Sequence, residues 1–287
     1  MDRYPTASEI AELVHHYFDE RQIAFSYDPE QGTGNANAAV FSVHNMAANL
    51  ARIDRDDWAE YVAWHFGHLI EGPPEIPSEY NQARRRLRVR LASQDWVDQL
   101  PFPDIAKPVA DDLYRVLMVA IDDGASTVPP DSLEAWDTDR DTVWEDAFKN
   151  TMLDEPRERR AMLKPTGERL TWVRGSWWSS TLLLGLGRYL SARQSHGALA
   201  MVPVRDALLF HEITDDSFVY SMSALIETGL TFHFGGPDSI SPHLYWWYDG
   251  SIRRLVAFED GRLLPVWGDE FREVLADLET PAPMPLN

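Results

Sequence analysis

GALAMVPVRDALLFHEI (197–213), DDSFVYSMSALIETGL (215–230) and SPHLYWWYDGSIRRLVAFE (241–259) decide the fold class. The first and third segments each hold two short apolar runs separated by turn residues. Ala198–Val202 and Ala207–His211 flank the tight turn Val204-Arg205-Asp206. Leu244–Tyr248 and Ile252–Phe258 flank Asp249-Gly250, a strong hairpin signal. Pro203 cannot donate to a ladder, so the spacing predicts that its strand ends there or lies at an edge. Between the hairpins, Asp216 is a candidate cap for a helix over 216–228. Hairpins covered by helices define an α+β fold with mixed or antiparallel sheets.

The N-terminal part reads the same way. Thr6 and Glu9 have capping-box spacing, and Ile10, Leu13, Val14, Tyr17 and Phe18 recur at helical period, predicting a helix over 7–22. Residues 23–27 and 39–43 alternate as strands around a loop marked by Gly32 and Gly34. Asp54 heads a helix through Ile70, which Gly72-Pro73-Pro74 stops. Arg86–Leu91 alternates as a half-exposed strand. These elements predict an α-β-β-α-β lobe over 1–93, a break at LPFPDIAKP, and a larger lobe over 111–279.

In the larger lobe, Tyr114–Ile121 reads as a buried strand and Pro129-Pro130-Asp131 opens a short helix. Asp139 caps a helix holding Val143, Trp144, Ala147 and Phe148. The charged segment 154–166 suits a surface helix or a connector, and Leu170–Val173 a short strand. Trp177–Ala192 carries Leu on most faces and predicts a central helix. Gly185 and Gly187 inside it each cost about 1 kcal/mol relative to Ala, so close packing against a sheet is the expected compensation. Gly268–Leu278 predicts a last helix, and the proline-rich 280–287 a disordered tail. Hairpin-then-helix recurs at 23–70, 198–228 and 244–278, which hints at repeated units.

The 287 residues hold 26 Lys and Arg against 46 Asp and Glu, a formal charge of −20. That balance repels phosphate backbones and anionic membranes and suits a basic protein partner. It also fits a soluble protein with no such partner. With no cysteine, disulfides, thiol catalysis and Cys-type zinc sites are excluded. MDRYPTASEIAEL has no apolar core of a signal peptide, and no apolar run nears the roughly 20 residues of a membrane span. The expected location is the cytoplasm, with neither nucleic acid nor membrane as partner.

Four segments carry a resemblance: LYRVLMVAIDD, the TDRDTVWEDAFKNT helix, SWWSSTLLL with the ALAMVPVRDALLFHEI hairpin, and the closing LYWWYDGSIRRLVAF hairpin. Their order resembles the YtpQ-like proteins, bacterial proteins with a domain of unknown function, over roughly residues 8–258. The chain departs from that pattern in the Pro- and Arg-rich 71–90 and in its C-terminal helix and tail. The resemblance implies a cytoplasmic α+β fold and no reaction.

The chemistry-bearing residues are few. His65, His68 and Glu71 share a helix face with metal-ligand spacing, but zinc needs three convergent ligands and HxxH lacks the general base of HExxH. A half-buried and an exposed histidine near a helix C-terminus explain them as well, and no metal is expected. Ser176, Ser179 and Ser180 lack the G-x-S-x-G elbow, so Ser176 reads as a cap. Gly32-Thr33-Gly34 and Gly235-Gly236-Pro237-Asp238 lack phosphate-loop spacing and read as turns, so no cofactor is expected. Asp54, Asp56 and Asp57, and Asp137, Asp139 and Asp141, suit helix starts. A calcium loop would need a sixth-position Gly and a twelfth-position Glu, which are missing.

His211, His233 and His243 converge with Asp206 and Glu212 only if the two hairpins share a sheet, and then general acid–base work becomes available to them. Trp246 and Trp247 point to opposite faces of their strand. Either both faces are covered, or one Trp, with Tyr248, forms a binding surface. The leading expectation is a non-enzymatic protein-binding protein of adaptor or immunity type. An enzyme of unrecognised class using the strand histidines with carboxylates is the alternative, and a self-associating sheet scaffold the third reading.

Overall fold

The computed structural model describes residues 4–30, 32–36, 39–70, 76–100, 102–121, 124–153, 158–163, 169–191, 196–215 and 218–279. The expected disordered tail lies outside them. The fold is α+β with antiparallel sheets. The chain divides into two compact units, Met1–Glu75 with Gly235–Asp238, and Ile76–Phe234 with Ser239–Asn287. The expected break at 93–110 therefore moves to 75/76, because the strand at 87–93 is hydrogen-bonded into the second unit. Among the described residues, no helix is long and apolar enough to cross a membrane.

In the first unit, α1 (Ala7–Glu20) starts on the expected capping box: Thr6 accepts from the Glu9 N–H at 3.2 Å, and Glu9 accepts from the Thr6 N–H at 2.8 Å. The expected two-stranded hairpin is a three-stranded meander of β1 (Phe25–Asp28), β2 (Thr33–Ala36) and β3 (Ala39–Ser42). The stretch read as a loop supplies β2, entered through Gly32 at φ 61°. A short α2 (His44–Leu50) follows, then a 3₁₀ turn (Arg55–Asp57) and α3 (Trp58–Ile70). Val14, Phe18, Met46, Leu50, Val62 and Phe66 close one core. Asp54 precedes the 3₁₀ turn without a side-chain cap bond.

The second unit opens with α4 (Tyr80–Ala83), β4 (Leu87–Ser93), α5 (Gln94–Asp98), β5 (Ala106–Ala110), β6 (Leu113–Ile121) and β7 (Gly124–Thr127). β6 is central: β4 pairs with one edge, and β5 and β7 with successive halves of the other. Next come α6 (Pro130–Ala135), with proline in its first turn, and α7 (Arg140–Leu153). Asp139 caps α7 as expected, accepting from the Thr142 N–H at 3.0 Å. The open edge of β4 is covered by hydroxyls. Thr151 accepts the Val89 N–H at 2.8 Å, and Thr181 accepts the Leu91 N–H at 3.1 Å. Buried N–H groups need such partners.

The remaining strands form a seven-stranded antiparallel sheet. They are β8 (Glu158–Leu163), β9 (Arg169–Arg174), β10 (Ala198–Met201), β11 (Ala207–Glu212), β12 (Leu244–Tyr248), β13 (Ser251–Glu259) and β14 (Arg262–Pro265), in the order β14-β13-β12-β10-β11-β9-β8. Both quoted hairpins thus lie in one sheet. Part of the charged segment read as a helix or connector is the edge strand β8. Pro203 does end its strand, but β10 lies inside the sheet and not at an edge. Asp249 and Gly250, at φ 46° and 78°, make the expected hairpin turn.

Both sheet faces are covered. Leu199, Met201 and Leu209 meet Ala224 and Leu225 of α8 (Phe218–Gly235) and Phe271 and Val274 of α9 (Asp269–Glu279). Ala198, Ala200, Leu208 and Phe210 meet Leu182, Leu183 and Leu186. These three leucines sit on a 3₁₀ helix, Ser179–Tyr189, broken at Gly185, where an α-helix was expected. The expected packing against the sheet holds for Gly187, while Gly185 packs against α7 instead. A Cβ on Gly187 would stand 2.6 Å from the Trp247 ring, and one on Gly185 2.6 Å from Met152 Sδ.

Candidate functional site

A buried polar cluster lies inside the second unit, where the β5–β6 turn meets the start of β12. Asp112 sits in that turn. His243 Nε2 is 2.8 Å from Asp112 Oδ2. The Tyr245 hydroxyl donates to the same carboxylate at 3.2 and 3.4 Å, and Ser241 Oγ lies 2.6 Å from that hydroxyl. Ser241 is wholly buried, Tyr245 likewise, and His243 nearly so.

Donor and acceptor roles follow from the inventory of hydrogens. The Phe258 backbone N–H donates to His243 Nδ1 at 2.8 Å. Nδ1 is therefore the acceptor, and the ring is the Nε2–H tautomer, donating to Asp112. Tyr245 spends its single proton on Asp112, so Ser241 donates to Tyr245. Ser241 Oγ in turn accepts the His243 backbone N–H at 3.2 Å. The loop closes with every proton placed, which rigidifies a buried network.

The electrostatics agree with this order. Burial opposes ionisation of Asp112, but the His243 hydrogen bond, the Arg254 guanidinium and the Tyr245 hydroxyl outweigh it and hold the carboxyl below its ordinary value. Burial, then the Asp112 charge, pushes the Tyr245 hydroxyl well above its ordinary range. Arg254 approaches Asp112 at 3.8 Å and Asp111 at 3.5 Å.

The sequence candidates fare differently. Of the three histidines, His243 alone has a carboxylate partner here. His211 Nδ1 meets the Arg169 carbonyl at 2.9 Å and His233 Nδ1 the Pro203 carbonyl at 3.1 Å. Burial foremost lowers the His233 pKa, and the Pro203 hydrogen bond opposes this. Glu212 is engaged by the Ser191 N–H and hydroxyl, at 3.1 and 2.5 Å to Oε1. A general base needs a free nitrogen within reach of its proton. His243 Nδ1 is already occupied by a backbone N–H, so this ring serves the fold.

Trp246 is 2% exposed, meets Phe271 edge-on in the core and carries the Tyr248 ring stacked on it. Trp247 points the other way, against Gly187, and is half-buried. The binding surface expected from Trp246, Trp247 and Tyr248 is thus reduced to Tyr248, 45% exposed. Of the metal candidates, His65 is half-buried against Tyr61 and Phe66, while the His68 side chain and Glu71 lie outside the described residues. Among the described residues no group of three metal-ligating side chains converges. Ser176 Oγ accepts the Trp178 N–H at 3.2 Å, a turn contact ahead of the 3₁₀ helix. Asp141 pairs with Lys107 at 3.2 Å. Sequence reading missed Asp112, Ser241 and Tyr245. The one available signal was an Asp-Asp turn between two strands, with a tyrosine at an apolar strand position.

The first unit carries a different feature. A groove of about 300 Å³ runs between α1 and the start of α3, lined by Glu9, Glu12, Leu13, His16, Arg55, Asp56 and Trp58. Glu9 is committed to Thr6 and to Arg55, the latter at 2.7 Å. His16 meets Glu20 at 3.2 Å. Glu12 and Asp56 have no ion-pair partner among the described residues. Arg55 lies over the Trp58 ring at 5.4 Å.

The chain matches no protein-family model, no curated protein and no solved structure.

Proposed function

We propose that this is a non-enzymatic, cytoplasmic protein of adaptor or immunity type, and that it binds a basic protein through the acidic groove of its first unit. The groove carries the reading. An incoming Lys or Arg lays its aliphatic stem on Leu13 and Trp58 and brings its charge to Glu12 and Asp56. Arg55 over Trp58 is an internal instance of the same contact. The surroundings favour it too: residues 1–75 hold thirteen Asp and Glu against four Arg and no Lys. Such an imbalance steers a basic partner and speeds association at low salt. The kinship proposed with the YtpQ-like proteins adds a fold and no reaction.

The second reading, an enzyme using the strand histidines with carboxylates, is favoured by the 2.8 Å His243–Asp112 contact. The Phe258 N–H on Nδ1 weighs against it. The test is fluorescence polarisation with a labelled Lys/Arg-rich peptide. Binding should weaken by about tenfold or more between low and high salt, since exposed charge pairs are screened. It should also be lost in Glu12→Lys/Asp56→Lys. Salt-insensitive binding, or none, removes the proposal.

A further inference from the structure

The acidic groove of the first unit already holds a basic side chain, its own Arg55. The Arg55 guanidinium donates from Nη2 to Glu9 Oε1 at 2.7 Å. Its Cζ stands 5.4 Å from the Trp58 ring centroid, within reach of a cation–π contact. Both partners are fixed in advance. Glu9 Oε2 accepts the Thr6 N–H and the Thr6 hydroxyl, each at 2.8 Å, which turns Oε1 to the guanidinium. Trp58 is 8% exposed and donates from Nε1 to the Leu50 carbonyl at 2.9 Å, which holds its ring in place.

Arg55 is the loose member of this set. Its side chain is 70% exposed, against 21% for Glu9. An exposed pair of this kind gains little, because water solvates both charges and ordering a long side chain costs rotamer freedom. Glu12 and Asp56 line the same groove without an ion pair, and His16 is taken up with Glu20. Glu9, Glu12 and Asp56 thus have one guanidinium among them.

Resting on the reading of the groove as a site for basic residues, we propose that Arg55 is its resident occupant, and that an arginine of the partner displaces it from Glu9 Oε1 and from the face of Trp58. The residue class follows from the shape of the subsite. A guanidinium is planar, so it donates in its plane to a carboxylate while its face lies on an indole. An ammonium is a compact, more strongly hydrated point charge with no such plane. An incoming lysine therefore gains less than the departing Arg55 loses, and arginine is selected. The displaced side chain moves into solvent, where most of it already stands.

The test is fluorescence polarisation on the full chain with two labelled Gly/Ser peptides, one carrying arginines and the other lysines at the same positions. The unsubstituted protein should bind the arginine peptide more tightly, by about two- to fivefold, the range of one exposed ion pair. Arg55→Met removes the occupant. Arg52→Met removes the same charge from an exposed position outside the groove lining, and so measures the effect of charge alone. Relative to Arg52→Met, Arg55→Met should tighten the arginine peptide by about two- to fivefold, with the melting temperature close to the parent's. Arg55→Lys leaves the net charge as it is and should tighten the arginine peptide in the same direction. Equal affinity of the parent for both peptides, or equal effects of Arg55→Met and Arg52→Met, would overturn the proposal and leave the groove reading standing. Binding that survives Glu12→Lys/Asp56→Lys, or no binding of either peptide, removes the groove reading itself and this inference with it.

Discussion

Asp112→Asn changes one oxygen to an amide and should disturb the whole buried network. In the native protein the carboxylate accepts from His243 Nε2–H at 2.8 Å and from Tyr245 at 3.2 Å, with Arg254 at 3.8 Å. An amide offers one acceptor oxygen to two donors, and its NH₂ must face the other donor. At least one hydrogen bond to a charged group is lost, about 1.5–3 kcal/mol. Arg254 also loses its nearest buried counter-charge, so the expected total is about 2–4 kcal/mol. For a unit of this size each kcal/mol lowers the melting temperature by about 2–4 °C. Urea unfolding followed by tryptophan fluorescence measures the free energy, and the midpoint should fall with the slope unchanged. The pH dependence provides a second sign. The folded Asp112 pKa is below the ordinary value. Its contribution is therefore present above the unfolded pKa of about 3.9 and is lost as pH falls through the folded value. The variant should lack that acid limb. A variant within about 0.5 kcal/mol of the parent at neutral pH, a shift typical of inert surface sites, would refute the network as described.

Other consequences can be checked on the same instruments. Thr151→Val keeps the shape but leaves the Val89 N–H without its 2.8 Å acceptor, and should cost about 1–3 kcal/mol in urea unfolding. Gly187→Ala would push a Cβ to 2.6 Å from the Trp247 ring, and should lower stability by about 1–3 kcal/mol, as overpacking does. His233, with its pKa lowered chiefly by burial, favours the folded state above its unfolded pKa of about 6.5 and loses that contribution as pH falls through its lower folded value. His233→Gln should flatten the stability profile on the acid side of that window, and an unchanged profile would contradict it.

What was legible in the sequence had local causes. The capping box of α1, the Asp249-Gly250 turn and the Asp139 cap are each decided by a few neighbouring residues. The buried strands of the seven-stranded sheet were legible because both faces are covered, which makes their apolar runs continuous. The elements missed are set by distant partners. β8 reads as charged because Glu158 meets Arg160 two residues along the same strand and Arg174 across the pair with β9. β2 has the composition of a loop and becomes a strand between two neighbours. The leucine run at 182–186 looks α-helical, yet Gly185 and the Trp247 ring impose a broken 3₁₀ helix. The buried network was hidden for the same reason: Asp112 and His243 stand far apart in sequence and meet only when the β5–β6 turn reaches β12. The groove was half legible, since the charge excess of residues 1–75 is plain but the placing of Glu12 on α1 and Asp56 on the 3₁₀ turn beside one groove is not.

The most direct test of the functional account is an amide chemical-shift titration of the protein with a Lys/Arg-rich peptide. The account predicts saturable shifts concentrated at residues 9–16 and 55–59, reversed by salt. Shifts absent there, or centred on His211, His233 and His243 instead, would contradict it.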